Sequence, residues 1–492
     1  MGRDDMRIVA DRMVSTAGDT SDDAKADATT EAVGDPVEAL RHDASGDLAA
    51  MDKKFLWHPF THMKGWLDAD PVIIDRAEGV YLYDTEGKRY LDAVSSVWAN
   101  VHGHGHPMID RAVREQLEKA AHTTLLGLSN PPAIRLARRL AEITPPGLSR
   151  VFYAGDGASA VEAALKMSFQ YWRNKGGTYE KKKRFMSFTN GYHGDTLGAV
   201  SVGGIGLFHG IYKDLLRASI RLPYPYCYRC HLNLEYPDCR LRCADELEPV
   251  FERNQGEVAA VIMEPKVQGA AGMVVAPDGF TRRIRDLCTR YEVLLIADEV
   301  ATGFGRTGKM FACDWEGVSP DIMCLGKGIS GGYMALAATL ATEEVFQAFL
   351  GDPWYEKTFF HGHTYAGNQL ACAAGLAGLE VFSKENVLDA LPGKAEILAD
   401  ALDGLKAMPH VGDVRRAGLM AGVELVADKG SKEPFDGSAG VGAKAALAMR
   451  KRGVFMRPLG DVLVLVLPLV IKEEEIRLAV NVVMGSVEEV TT

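Results

Sequence analysis

Residues 293–330 hold two short apolar runs, VLLIA at 293–297 and IMCL at 322–325, each too short for an ordinary helix. Each stops at a charged or glycine-bounded residue, the pattern of a strand buried on both faces of a parallel sheet. The first run delivers Asp298 and the second Lys327. Ligands of open α/β sheets collect at the carboxyl ends of the strands, so this spacing can place a carboxylate and an amine at one rim. A lysine there can form a Schiff base with an aldehyde cofactor, and an aspartate can hold the protonated pyridine nitrogen of pyridoxal phosphate. A strand-end aspartate and a surface lysine in a plain ion pair would look the same, so other segments have to decide.

The same stretch contains GFGRTGKM, residues 303–310, which fits a dinucleotide fingerprint and most of a Walker A loop. Both fits are poor. Met310 stands where a magnesium-binding Ser or Thr is required, and Asp314, Gly317 and Pro320 do not read as the helix that either motif must open. Nucleic acid is disfavoured as a partner because the formal net charge is −11. Much of that charge lies in residues 1–50, where twelve Asp or Glu face five Lys or Arg. That segment has hardly any large apolar side chain and is expected to be a disordered tail, with order starting near Phe55. No apolar run reaches membrane-spanning length and no signal-peptide core follows the N-terminus, so a cytoplasmic enzyme is expected.

Eight cysteines in 492 residues read as reduced thiols rather than a disulfide scaffold. Four of them, Cys227, Cys230, Cys239 and Cys243, are spaced C-x2-C, x8, C-x3-C, which suits tetrahedral zinc. The gap between the pairs is short for common zinc modules, and a loop of packed or free thiols is the preferred reading. His102, His104 and His106 alternate as metal ligands on a strand would, but the intervening glycines and Pro107 read better as a turn into a helix from Ile109 to Thr124.

From Val72 to Val94 the alternation predicts a small antiparallel sheet. A strand VFYA then runs into Gly155-Asp156-Gly157-Ala158-Ser159, followed by helical spacing at Val161, Leu165, Ser168 and Trp172. A glycine turn opening a helix offers backbone N–H groups and a positive dipole end to a phosphate, although a plain strand-to-helix turn has the same sequence. Strands at 184–188 and 258–263 follow, the first leading to a loop with Tyr192, His193 and Asp195, the second ending at Glu264. Tyr192 could stack on a planar cofactor or simply pack. The α/β alternation over 151–330 predicts a mostly parallel, doubly wound sheet, and the segments after Val411 predict a second, strand-containing small domain. Arg457, between Met456 and Pro458, could clamp a substrate carboxylate or form a structural ion pair.

Taken in order, LWHPFT, SSVWANVHGHGHP, NGYHGDT, VQGAAGM, IADEVATGFGRTGKMFAC, LGKGISGG, HGHTYAGNQLACA and RPLGD resemble the class III, fold-type I pyridoxal-phosphate aminotransferases over residues 52–490. The resemblance implies pyridoxal 5'-phosphate as cofactor, a large cofactor-binding domain over 106–375, and a smaller α+β domain built from 51–105 and 376–492. It casts Lys327 as the Schiff-base lysine and proton carrier, Asp298 as partner of the pyridine nitrogen and Tyr192 as the stacking ring. Gly157 and Ala158 would form the phosphate turn, with His363 and Thr364 reaching the phosphate from the neighbouring subunit of a homodimer. Gly362 and Arg457 would meet substrate, and GFGRTGK becomes a structural loop.

This chain departs from the family at three positions. Ala158 replaces a frequent serine, leaving phosphate binding to backbone N–H groups, while Phe60 and Val97 replace a tyrosine and a tryptophan that line the donor pocket in members using S-adenosylmethionine. The donor is therefore open between lysine and S-adenosylmethionine, leaning to lysine. Another ω-amino acid or diamine substrate within the family stays open. A non-catalytic metal-binding or regulatory protein on this scaffold has little support, because Lys327, Asp298 and Tyr192 are all present.

Overall fold

The computed structural model describes residues 47–492 in two compact units, 47–73 and 74–492. Of the expected tail, residues 1–46 lie outside the described residues. Order begins before Phe55: a helix spans Leu48–Phe55, because Asp47 caps it through hydrogen bonds from the amides of Ala49 and Ala50. Within this unit Asp52 accepts from the indole of Trp66 at 2.7 Å and pairs with His58 at 2.9 Å.

The larger unit is organised by a seven-stranded sheet in the order Leu148–Ala154, Ala337–Thr342, Ile322–Leu325, Leu294–Asp298, Val258–Met263, Arg184–Phe188, Ile220–Leu222. Only Ala337–Thr342 runs against its neighbours. The apolar runs are continuous because both faces are covered. Leu294 and Ile296 enter one core with Ala160, Val161 and Trp172 of the helix Gly157–Lys175. Leu295 and Ala297 enter the other with Ile284 and Leu287 of the helix Phe280–Arg290 and with the helices Pro131–Ile143 and Gln369–Lys384. This is the mostly parallel α/β sheet that the alternation predicts, and the arrangement that the family resemblance implies.

Besides the short pair Val267–Gln268 and Val274–Val275, two smaller sheets complete the unit among the described residues. Ile74–Glu78, Tyr81–Asp84 and Arg89–Asp92 form an antiparallel meander, and Val454–Phe455 adds to it in parallel, joining distant parts of the chain in one sheet. Val411–Ala417, Met420–Leu425 and Val462–Val466 form the other. The predicted helix from Ile109 is instead Pro107–Leu117, capped by the ring of His106 through its bond from the Met108 amide.

The hairpin at Gly418 sits against the GFGRTG loop, and Leu419 N donates to Arg306 O at 3.2 Å. Gly418 has φ of +57°, and a Cβ there would lie 2.4 Å from the carbonyl carbon of Thr307 and 2.5 Å from Gly308 N. Gly418→Ala should lower stability by about 2 kcal/mol or more, the sum of left-handed strain and overpacking. Gly485→Ala, inside a helix with nothing within 4 Å of the added carbon, should be neutral or stabilising. Urea midpoints of the two variants check this contrast, and equal midpoints would refute the docking argument.

Candidate active site

Most of the main cavity's wall is built from segments just beyond a strand's carboxyl end or just before the reversed strand, and Trp98 and Ala99 add to it from a separate turn. Gly155 to Ala158 follow Leu148–Ala154, Tyr192 to Thr196 follow Arg184–Phe188, Glu264 follows Val258–Met263, and Lys327 follows Ile322–Leu325. Asp298 ends its own strand, and Met334 to Leu336 precede the antiparallel one. The cavity measures about 810 Å³. Asp298 pairs in register with Cys324 of the neighbouring strand, so the carboxylate and the Lys327 amine reach one rim from adjacent strands.

The floor of the cavity is buried and charged. Asp298 Oδ2 lies 2.7 Å from His193 Nδ1, and Oδ1 accepts from the Val300 amide at 3.1 Å. Glu264 accepts from the amides of Tyr192 at 3.0 Å and Gly269 at 2.9 Å. Its burial raises the carboxyl to about 7, with His193 working in the opposite sense. Lys327 is half-buried, and desolvation lowers the pKa of its amine below the ordinary lysine value, although Asp298 and Glu264 oppose the shift. Its backbone is strained at φ of 43°. The Tyr192 phenol donates to Asp195 at 2.6 Å and is held protonated mainly by burial.

At the other end of the cavity the helix Gly157–Lys175 begins. Asp156 caps it by accepting from both the amide and the hydroxyl of Ser159. The amides of Gly157 and Ala158 belong to the first turn, where a helix has no internal acceptors and favours an anion. A phosphate at these amides, a ring against Tyr192, a ring nitrogen at Asp298 and an aldehyde at Lys327 form a donor set that fits pyridoxal phosphate.

Five predicted site residues therefore meet in one cavity: Gly157, Ala158, Tyr192, Asp298 and Lys327. The others lie outside its wall. Gly362, His363 and Thr364 are exposed on a loop, Arg457 is exposed beyond the strand Val454–Phe455, and Val97 is 59% exposed. Phe60, in the 47–73 unit, is half exposed at φ of 50°.

Glu264, Val300 and Trp98 are among the lining residues not selected from the sequence. Glu264 could have been found by the strand-end reasoning that found Asp298, whereas Val300 and Trp98 carry no such signal. Trp98 lies with its ring centroid 5.2 Å from Lys327 Nζ. It closes a turn in which Ser95, Ser96, Val97 and Trp98 all have positive φ, from 47° to 70°. Such a conformation costs roughly 1–2 kcal/mol per non-glycine residue.

The competing motifs resolve differently. Glu299 accepts from the Ala312 and Cys313 amides and from Thr302, tying down the GFGRTG loop, and the loop is followed by the short turn Ala312–Trp315 rather than a long helix. Cys227, Cys230, Cys239 and Cys243 are free thiols lining a cavity of about 20 Å³. Among the described residues no group of three or more His, Cys, Asp or Glu is placed to hold a metal ion. The three alternating histidines do not converge on one point: His102 packs on Phe382 with its ring centroid 6.2 Å from that of His106, His104 faces Asp92 at 3.3 Å, and His106 caps a helix.

The sequence profile of the aminotransferase class-III family matches residues 64–485. Adenosylmethionine-8-amino-7-oxononanoate aminotransferase of Geobacter sulfurreducens is 53% identical over 89% of this chain and 97% of its own length. The protein of that name from Aquifex aeolicus is 53% identical over 90% of this chain and 97% of its own. The crystal structure of its Methanocaldococcus jannaschii namesake superposes with a TM-score of 0.85 at 45% identity, covering 90% of this chain and 99% of that one. The ω-transaminase of Pseudomonas jessenii, solved in complex with PMP, superposes with a TM-score of 0.85 at 31% identity, covering 91% and 98%.

The Glu264 carboxyl keeps its proton in the folded chain up to about pH 7, whereas the unfolded chain loses it near 4.5. Its contribution to stability is therefore full below the unfolded value and is lost as pH rises towards 7, with a slope of up to about 1.4 kcal/mol per pH unit. Glu264→Gln should remove that slope, read as a urea midpoint that changes less than wild type between about pH 5 and about pH 7. An unchanged slope would assign it to another group.

Proposed function

The chain belongs to the class-III aminotransferases, and we propose that it transfers an amino group to 8-amino-7-oxononanoate, giving 7,8-diaminononanoate in biotin biosynthesis. The observation that carries this reading is the meeting of Asp298 and Lys327 on adjacent strand ends, in a cavity opened by the first turn of the helix Gly157–Lys175. Class-III aminotransferases use pyridoxal phosphate, which when bound supplies an electrophilic aldehyde and an electron sink.

The residues divide the work by chemistry. The Gly157 and Ala158 amides hold the phosphate without a side-chain hydroxyl. Asp298, fixed by His193, holds a proton on the ring nitrogen, and Tyr192 supports the ring face. Lys327 would make the covalent attachment to the cofactor. Its Nζ would also carry a proton, and desolvation makes it a better base near neutral pH by disfavouring the ammonium form. In this reading Arg457 holds the carboxylate of the acceptor with paired hydrogen bonds.

A cytoplasmic homodimer with shared active sites is part of the proposal. Gly362, His363 and Thr364 are exposed and outside the cavity of their own chain, as residues serving a partner's phosphate and substrate would be. Leu126, Leu207, Ile211, Phe360 and Tyr365 expose large apolar surfaces that a second copy would cover. Lysine is the proposed donor. Where an aromatic pair could cover an adenine and oppose a sulfonium, this chain has Phe60 and Val97, and each lost contact is worth on the order of 0.5–2 kcal/mol.

Purified protein loaded with pyridoxal phosphate should give a borohydride-fixed adduct on Lys327. Lys327→Ala should lose both the adduct and turnover, and a lysine adduct retained in that variant would sink the assignment. In direct competition with 8-amino-7-oxononanoate as acceptor, lysine should serve at least as well as S-adenosylmethionine. Turnover with S-adenosylmethionine alone would show that Phe60 and Val97 do not report the donor, and transfer with neither would point to another ω-amino substrate.

A further inference from the structure

The left-handed turn Ser95–Trp98 is held from two sides by buried charges. On one side Asp92, with no exposure, accepts from the Ser96 amide at 3.0 Å and from the Ser96 hydroxyl at 2.8 Å. On the other, Arg306 of the GFGRTG loop is 1% exposed. Its Nη1 donates to Ser95 Oγ at 3.1 Å and to the Leu467 carbonyl at 2.9 Å, and its Nη2 donates to the Asn100 carbonyl at 2.6 Å. Ser95 Oγ in turn donates to the Val466 carbonyl at 2.6 Å.

No carboxylate among the described residues forms an ion pair with this guanidinium, so its charge is spent on oxygens of the turn and of the strand end beside it. We propose that Arg306 and Asp92 are positioning residues: together they clamp the strained turn so that the Trp98 ring stays beside the amine of Lys327, shaping the substrate side of the cavity.

Three observations converge on this role. Without the clamp a run of four positive-φ residues, including the β-branched Val97, would relax. Trp98 is already confined from beneath, since a Cβ on Gly269 would come within 2.8 Å of its ring. The Arg306 charge also disfavours protonation of Lys327, so the same residue acts on both partners of the contact.

The inference rests on the aminotransferase reading for its activity arm only. Arg306→Lys keeps a cation but cannot span three separate oxygens. In the loaded enzyme it should lower kcat/KM by about 10- to 100-fold, the scale expected for a small misplacement near the chemistry. In a Trp98→Ala background the same change should cost less than about twofold more, because coupled residues are not additive.

Hydrogen exchange, measured without cofactor or substrate, should quicken at the amides of Trp98, Ala99 and Asn100 and stay unchanged in the central strand Val258–Met263. Additive losses in the double variant, or unchanged exchange at those three amides, would overturn the proposal. Quickened exchange in a protein that turns over no tested acceptor would keep the clamp and reject the substrate assignment instead. Should Arg306→Lys fail to fold, Ser96→Ala removes one bond to Asp92, leaves Arg306 in place, and should shift both readouts in the same direction by a smaller amount.

Discussion

A parallel sheet buried on both faces leaves polar chemistry one place to go, the rim where its strands end. Here the rule acts residue by residue. Leu294 and Ile296 face one core and Leu295 and Ala297 the other, so Asp298 is the first position at which a charge can be put to use. The same constraint places Glu264 after Val258–Met263 and Lys327 after Ile322–Leu325. Because these strands are neighbours in the sheet, residues more than sixty positions apart become lining of one cavity.

That rim is expensive to maintain. Desolvation works against the charges of Lys327 and Glu264 alike, and the fold offsets it by balance rather than by one close ion pair. Asp298 and Glu264 favour the ammonium form of Lys327, while burial and Arg306 disfavour it. The outcome is an amine that can give up its proton without being forced to. Backbone strain gathers in the same region, at Lys327, at Phe304 and through Ser95 to Trp98, and in the turn hydrogen bonds to Asp92, Arg306 and Val466 hold it.

The smaller sheets reach the site through backbone atoms. The hairpin at Gly418 lies on the GFGRTG loop, the Leu467 carbonyl anchors Arg306, and Leu469 N donates to Val101 O at 3.0 Å. The loop that mimics a nucleotide motif is thus a junction between the large sheet and the chain's last strands. Gly305 sits at φ of +86°, which favours glycine, and a Cβ there would come 2.5 Å from the end of the Leu469 side chain.

Much of the frame and part of the site were legible in the sequence. Continuous short apolar runs mark strands buried on both faces, and the residue ending each run marks the rim, which is enough for Asp298, Lys327 and the turn at Gly157. Tertiary structure alone decided the rest, because those contacts carry no local pattern. Arg306 meets oxygens of Ser95, Asn100 and Leu467, well over a hundred residues away in either direction. Trp98 reaches Lys327 only by way of a left-handed turn that propensity would never select. The alternating histidines read as a turn rather than a metal face, but only the fold shows that His104 goes to Asp92 while the rings of His102 and His106 stay 6.2 Å apart. Local sequence determines what a segment can become by its own burial and dihedral preferences. Which distant segments meet is set by how the buried faces pack, and that geometry exists only once the whole unit has folded.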